Sequence, residues 1–279
     1  MTDSAEKKYN RRNVLKSGGT AVTLGMLVAA FGATLPRGAQ AADSAKGVNC
    51  LTILYPAGDG LHFNADYYRD HHLKTIMKLY GTTISRFELR TVNPTPPPPA
   101  NAAPPAAGAP PPRPKYAGAI NIWIADLDAF LANNQKHGKT LTDDVPNFTN
   151  AMPAIQFDTV LGEAGAKRSV PKVGDTCLTI VYPNTEGGKF DVEYYKAHHM
   201  PLIMKLYGPK AIKRFELRKG DKNMAGAKPD FIGTVNIYIE DQSAFDAAGK
   251  LHAQTLRDDV PHFSSVFPNA FPTTIYGVG

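Results

Sequence analysis

One unit is written twice in this chain, and the repeat constrains the fold more than any other feature. CLTILYP at residues 50–56 returns as CLTIVYP at 177–183, and YYRDHH at 67–72 returns as YYKAHH at 194–199. IMKLYG recurs at 76–81 and 203–208, and RFELR at 86–90 and 214–218. AINIWI at 119–124 pairs with TVNIYI at 234–239, and TLTDDVPNF at 140–148 with TLRDDVPHF at 255–263. The offset is 127 at first, then 128, then 115, so the first copy carries 13 extra residues. They fall in NPTPPPPANAAPPAAGAPPPRP, residues 93–114. Pro and Ala in that density favour extended polyproline II and build no packed core, so this is a loop insertion within unit one.

Each unit reads as strand, helix, strand, strand, helix, strand. Cys50–Tyr55 alternates apolar and polar residues as a half-buried strand does. Asn64 and Asp191 can cap the helix that follows Phe63 or Phe190, and Gly81 or Gly208 can end it after Tyr80 or Tyr207. Arg86–Val92 and Tyr116–Ile124 are strands, Asp126 begins a second helix, and Ala154–Leu161 is the last strand. This β-α-β-β-α-β order is the ferredoxin-like motif. An open four-stranded sheet with helices on one face leaves the other face bare, and two tandem copies can bring their bare faces together. The fold class expected is therefore α+β: two tandem ferredoxin-like units packed as an α/β barrel within one chain. The units span residues 48–162 and 176–279, with a linker at 163–175.

Residues 1–41 form an address rather than a domain. NRRNVLK at 10–16 precedes a weakly apolar run from Gly18 to Leu35, followed by Pro36-Arg37-Gly38 and the small-x-small site Ala39-Gln40-Ala41. Basic, apolar and small-residue regions in that order make a cleaved signal peptide, and the paired arginines resemble the twin-arginine export signal. The expected partner is that export machinery, and the expected location is periplasmic or secreted. The segment also explains the charge. The formal net charge is +6, but without residues 1–41 it is +2. No dense basic patch remains, which argues against nucleic acid. No later run is apolar over the roughly 18 residues that a membrane span needs.

The residues Phe190 to Pro201 carry the pattern Phe-Asp-x-x-Tyr-Tyr-x-x-x-His-x-Pro intact. With Asp-Val-Pro-Asn-Phe-Thr at 144–149 and a histidine a few residues earlier, the mature chain resembles the EthD domain family, twice over. The resemblance implies the dimeric α/β-barrel fold and an EthD-type oxidoreductase of reductase or monooxygenase kind, or an accessory to one. It implies a small, mostly apolar organic substrate. Relatives on this fold include decarboxylases, isomerases, monooxygenases and haem enzymes, so fold does not settle reaction. Neither copy is whole: unit one has Lys74 where the motif has proline, and unit two has His262 where it has asparagine.

Six of the eight histidines form equivalent pairs: His71 with His198, His72 with His199, and His137 with His252. The family pattern implies His72 and His199 as the motif histidines. Tyr68, His72, Ile76 and Leu79 fall at i, i+4, i+8 and i+11, which places His72 on a mostly apolar stripe facing inward. A histidine there can be a neutral acid or base beside a phenol, or a buried residue tying helix to sheet. The candidate catalytic residues are His72, His199, Tyr68, Tyr195, His137 and His252. The candidate substrate-binding residues are Tyr67, Tyr194, Asp144, Asn147, Phe148, Asp259, His262 and Phe263. For one tyrosine of each pair simple packing is the expected role, and for the Asp-Val-Pro segment a turn role stays open.

His71 and His72 lie about 100° apart on a helix and cannot chelate one ion, and no His-x-x-x-His or Cys-x-x-Cys occurs, so no metal site is expected. Haem needs only one axial histidine and stays open as a cofactor; none other is implied. Signatures of serine-triad hydrolases, nucleotidases and Rossmann dehydrogenases are absent from the sequence. Cys50 and Cys177 sit at equivalent strand positions and could pair only near a pseudo-twofold axis. The rival to an enzyme is a non-catalytic periplasmic module that binds or protects a small molecule. Either way a monomeric pseudo-dimer is expected, with further oligomerisation open.

Overall fold

The computed structural model describes residues 47, 49–93, 114–165 and 171–279. The expected export signal and nearly all of the Pro/Ala insertion lie outside the described residues. The first half runs β1 (Cys50–Pro56), helix α1 (residues 65–80), β2 (Ile84–Val92), β3 (Tyr116–Ile124), α2 (Leu127–Asp144) and β4 (Ala154–Gly165). The second runs β5 (Thr176–Pro183), α3 (residues 192–211), β6 (Ile212–Asn223), β7 (Phe231–Ile239), α4 (Gln242–Phe263) and β8 (Asn269–Val278). The eight strands close into one barrel in the order β1-β3-β2-β8-β5-β7-β6-β4.

The seams β2–β8 and β4–β6 join the halves, both antiparallel. No sheet edge is left open, which is how a barrel removes unpaired strand groups. Alternation along each strand sends one set of side chains outward to the helices and the other into the lumen. In β1, Leu51, Ile53 and Tyr55 join the outer core with Tyr68, Leu73 and Ile76 of α1. Leu54 instead meets Val181, Phe231 and Phe271 of the other half. An equivalent outer core in the second half holds Tyr182, Tyr195, Ile203 and Phe263.

The expected caps are in place. Asn64 and Asp191 accept from the backbone N–H of Tyr67 and Tyr194, and Asp126 from that of Ala129. Gly81 ends α1 at φ 54°, a left-handed conformation glycine adopts without strain. Gly208 also has positive φ, but Pro209 follows and a kinked last turn carries α3 to Ala211.

Three features depart from the sequence reading. Helix α1 is not uniform: Ala65–Tyr67 is α, Tyr68–His72 is a π-turn and Leu73–Tyr80 is α again, and α3 repeats this at Tyr195–His199. The extra residue per turn rotates the stripe, so Leu73 and Tyr80 are buried while Leu79 is only half-buried. Strand β4 runs to Gly165, into the expected linker, because β6 pairs with it as far as Arg214. Strand β2 starts two residues early, at Ile84.

Candidate functional site between helix and sheet

The site is built where the start of α1 meets the end of α2. A lone bridge joins Phe63 to Thr149, and the backbone N–H of Asn64 donates to the carbonyl of Phe148 at 2.7 Å. These ties bring the Asp144-Val-Pro-Asn147-Phe148 segment against the π-turn. In the second half Phe190 bridges Ser264, and Asp191 N–H donates to Phe263 at 2.6 Å.

The result is a histidine held by an aspartate. His72 Nδ1 lies 2.8 Å from Asp144 Oδ2. The other carboxylate oxygen, Oδ1, accepts from the Tyr67 hydroxyl and the Asn147 amide, each at 2.8 Å. His199 Nδ1 lies 2.7 Å from Asp259 Oδ2, and Tyr194 donates to Oδ1 at 3.0 Å. His262 replaces the asparagine there; its Nδ1 stands 3.5 Å from Asp259 Oδ1, and its ring stacks on Tyr194. Each histidine packs against a phenylalanine, His72 on Phe148 and His199 on Phe263, with ring centroids 4.6 and 4.5 Å apart.

These surroundings fix the protonation state. Burial pushes His72 below the usual imidazole range, and the hydrogen bond and charge of Asp144 only partly oppose it. His199 is lowered for the same reasons, with Asp259 in the opposing role. Burial works to raise Asp144, but the bonds from Asn147, His72 and Tyr67 outweigh it and hold the carboxyl below its ordinary value. Asp259 behaves likewise, with His199 and Tyr194 as donors. At neutral pH the arrangement is a neutral imidazole donating Nδ1–H to a carboxylate. That tautomer leaves Nε2 as the basic nitrogen.

His72 lines a cavity between the helices and the sheet, of about 20 Å³. Its walls are mainly Tyr55, Tyr68, Ile76, Ile122, Phe130 and Leu141, and Met224 closes it from the β6–β7 hairpin of the other half. The Tyr68 hydroxyl is buried with no hydrogen-bond partner of ordinary geometry, and so is that of Tyr195. A space of this size holds about one water. It does not accommodate a haem, so no step through one follows here. Among the described residues no group of three or more His, Cys, Asp or Glu side chains could hold a metal ion.

The structure thus gathers His72, Tyr67, Tyr68, Asp144, Asn147 and Phe148 in one half, and His199, Tyr194, Tyr195, Asp259, His262 and Phe263 in the other. His137 and His252 stay apart. They are half-buried on α2 and α4 and make no hydrogen bond to either histidine–aspartate pair. The sequence reading placed them in the pocket because the family pattern carries a histidine a few residues before the Asp-Val-Pro segment. Seven residues set each of them about 10 Å along the same helix from its aspartate, away from the pair. Ile76, Phe130 and Met224 were missed as cavity walls. Only the repeated apolar helix positions hinted at the first two, and Met224 crosses from the other half. Cys50 and Cys177 are free, buried thiols, so the disulfide does not form.

The second half has an open cleft of about 400 Å³ bordered by Lys189, Asp191, His262 and Ser265, outside the Tyr194–His262 stack.

Comparison with known proteins agrees on the family's domain and leaves the reaction open. Residues 63–151 match the model of the EthD domain. No curated protein matches the chain. An EthD-like protein from Ralstonia eutropha JMP134 is 27% identical, over 36% of this chain and 91% of its own, with a TM-score of 0.34. An anthrone oxidase-like protein is 8% identical, over 85% of this chain and 94% of its own, with a TM-score of 0.47. A dye-decolorizing peroxidase from Bacteroides thetaiotaomicron VPI-5482 is 8% identical, over 84% and 95%, with a TM-score of 0.41. The EthD match spans α1 through the Asp144 segment, the residues that assemble the first histidine–aspartate pair.

Proposed function

We propose that this chain is an exported enzyme of oxidoreductase type that takes a small, mostly apolar organic molecule beside His72. The observation that carries the reading is the neutral His72, oriented by Asp144 on the wall of an aromatic-lined cavity. A base held this way accepts a proton at Nε2 while Asp144 stabilises the imidazolium that forms. The substrate that suits it is a phenol or enol, and admitting one requires the side chains around the one-water space to move aside. Loss of its proton leaves an electron-rich anion, the form from which an external oxidant withdraws electrons. Tyr68 offers a hydroxyl that can turn toward the guest, and the EthD match supports the oxidoreductase class. The basic, apolar and small-residue order of residues 1–41 supports export by the twin-arginine route.

A second reading is a binding or protective module. It is favoured by the incomplete motif in each unit, with Lys74 standing where the pattern has proline and His262 where it has asparagine. The two readings part on the histidines. Purified protein is screened against phenols and enols with dioxygen or an added electron acceptor, and scanned for visible absorbance. If the chain is an enzyme, His72→Ala or His199→Ala lowers turnover by about 10²–10⁴ with the circular dichroism spectrum retained. Ligand affinity without turnover in the wild type establishes the module instead.

A further inference from the structure

The repeated RFELR segments play no part in the histidine site. Each sends Arg, Glu and Arg to the lumen face, where Glu88, Arg90, Glu216 and Arg218 are almost wholly buried. Arg90 donates to Glu88 at 2.7 Å, and Arg218 pairs with Glu216. At one end of the barrel Arg86 and Arg214 both donate to Oε2 of Glu216, at 3.2 and 3.0 Å. There the halves diverge. Glu163 on the rim takes Arg214 at 2.6 Å. Across the seams Glu163 stands opposite Glu216, whereas Val278 stands opposite Glu88. The carboxylate that faces Glu216 across one seam thus has no counterpart facing Glu88 across the other.

Arg86 lies instead over the Trp123 ring, 3.6 Å from its centroid. The Arg86 Nε and the Trp123 Nε1 are both buried without a hydrogen bond; Glu88 Oε1 stands 3.7 Å from the Arg86 Nε, and Trp123 is only 8% exposed. The lumen holds the arginines 86, 90, 214 and 218 against the buried carboxylates Glu88, Glu216 and Asp158; the fourth carboxylate, Glu163, is half-exposed. Buried N–H donors left without a hydrogen bond call for an acceptor. Arg86 and Trp123 border an open cleft of about 490 Å³, walled also by Asn49, Ser85, Ile124, Val160 and Glu163. That volume suits a small ligand.

We propose that this barrel mouth is a second ligand site, for a small aryl carboxylate. The carboxylate takes the unfilled donors of Arg86 and Trp123, and the ring lies along Ile124 and Val160. The strand β3 separates it from the histidine site: Trp123 faces the lumen, while Ile122 faces the His72 cavity.

Trp123 is the single tryptophan of the chain, so its emission reports on this site alone. The full chain is titrated with benzoate, with sulfate as charge without ring and benzyl alcohol as ring without charge. Benzoate is expected to change the emission saturably, at least tenfold more tightly than either control. Arg86→Gln is expected to weaken benzoate tenfold or more. Glu163→Gln, which removes a facing charge and frees Arg214, is expected to tighten it severalfold. Binding that survives in His72→Ala keeps this site distinct from the catalytic reading. The proposal is overturned by a response that does not saturate, by sulfate matching benzoate, or by Arg86→Gln binding as the wild type does. Should Arg86→Gln lose its circular dichroism signal, Glu163→Gln decides, and unchanged affinity there overturns the proposal.

Discussion

Asp144 does more to define the site than its place in a turn suggests. Two of its oxygens collect three donors, from Tyr67, His72 and Asn147. Asp144→Ala strands the buried His72 Nδ1–H, an unmet hydrogen bond that costs about 1–3 kcal/mol. Urea unfolding of the variant at pH 7 is expected to show that loss. The same residues set a pH dependence. His72 and His199 have folded pKa values below the unfolded value, so acid protonates the unfolded chain first. Stability is therefore full above about pH 6.5 and falls as pH drops toward the lowered folded values. Asp158 works in the opposite direction. Burial pushes its carboxyl up to about 6, despite Arg218, Thr52 and Gln156, so its folded form binds a proton before the unfolded chain does. Its contribution grows as pH falls from about 6 toward the ordinary carboxylate value. Asp158→Asn is accordingly expected to lose stability more steeply than the wild type between pH 6.5 and 4.5, as read by urea midpoints across that range. An unchanged slope contradicts the assignment of that opposing proton to Asp158.

At the scale of elements, the sequence made the β-α-β-β-α-β order legible because the repeats mark strands and helices twice, with caps at Asn64, Asp126 and Asp191. It did not reveal the π-turns. Their residues Tyr68–His72 read as ordinary amphipathic helix, and the extra residue per turn emerges only when the helix docks with His72 inward. Nor did it pair His72 with Asp144, which are 72 residues apart with no local signal beyond a shared repeat. The RFELR strands carried no sign of their place, since alternating charges ordinarily mark a solvent face and here they line a closed lumen. One element-level contact was hidden in glycines. A Cβ on Gly118 would meet the Phe63 ring at 2.5 Å, and one on Gly233 would meet Phe190 at 2.8 Å. These phenylalanines anchor the chain just before α1 and α3. Gly118→Ala is expected to cost about 1–3 kcal/mol by overpacking and to displace the entrance to α1. Chemical denaturation measures the loss, and a matching fall in whatever turnover depends on His72 distinguishes displacement from simple destabilisation.

For the whole molecule the question is whether the halves unfold as one body. The seams β2–β8 and β4–β6 tie them by backbone, and the lumen ties them by charge. Glu216 is the node: it accepts from Arg86 of the first half and from Arg214 and Arg218 of its own, while Tyr238 reaches back to Glu88 at 2.8 Å. Its carboxyl is held below the ordinary value: burial tends to raise it, and the three arginines outweigh that. Glu216→Leu leaves those guanidinium groups without their shared acceptor, and breaking such a buried network costs about 3–5 kcal/mol. Because Trp123 sits against Arg86 in the lumen, its emission follows opening of the barrel, whereas far-ultraviolet circular dichroism follows the helices on the outside. In the wild type the two signals are expected to change at one urea concentration, as a single cooperative body requires. In Glu216→Leu both midpoints are expected to fall together. A tryptophan transition that precedes the helical one in the wild type would instead mean that the lumen opens while each half stays folded, and that the charges close the barrel without making it one cooperative unit.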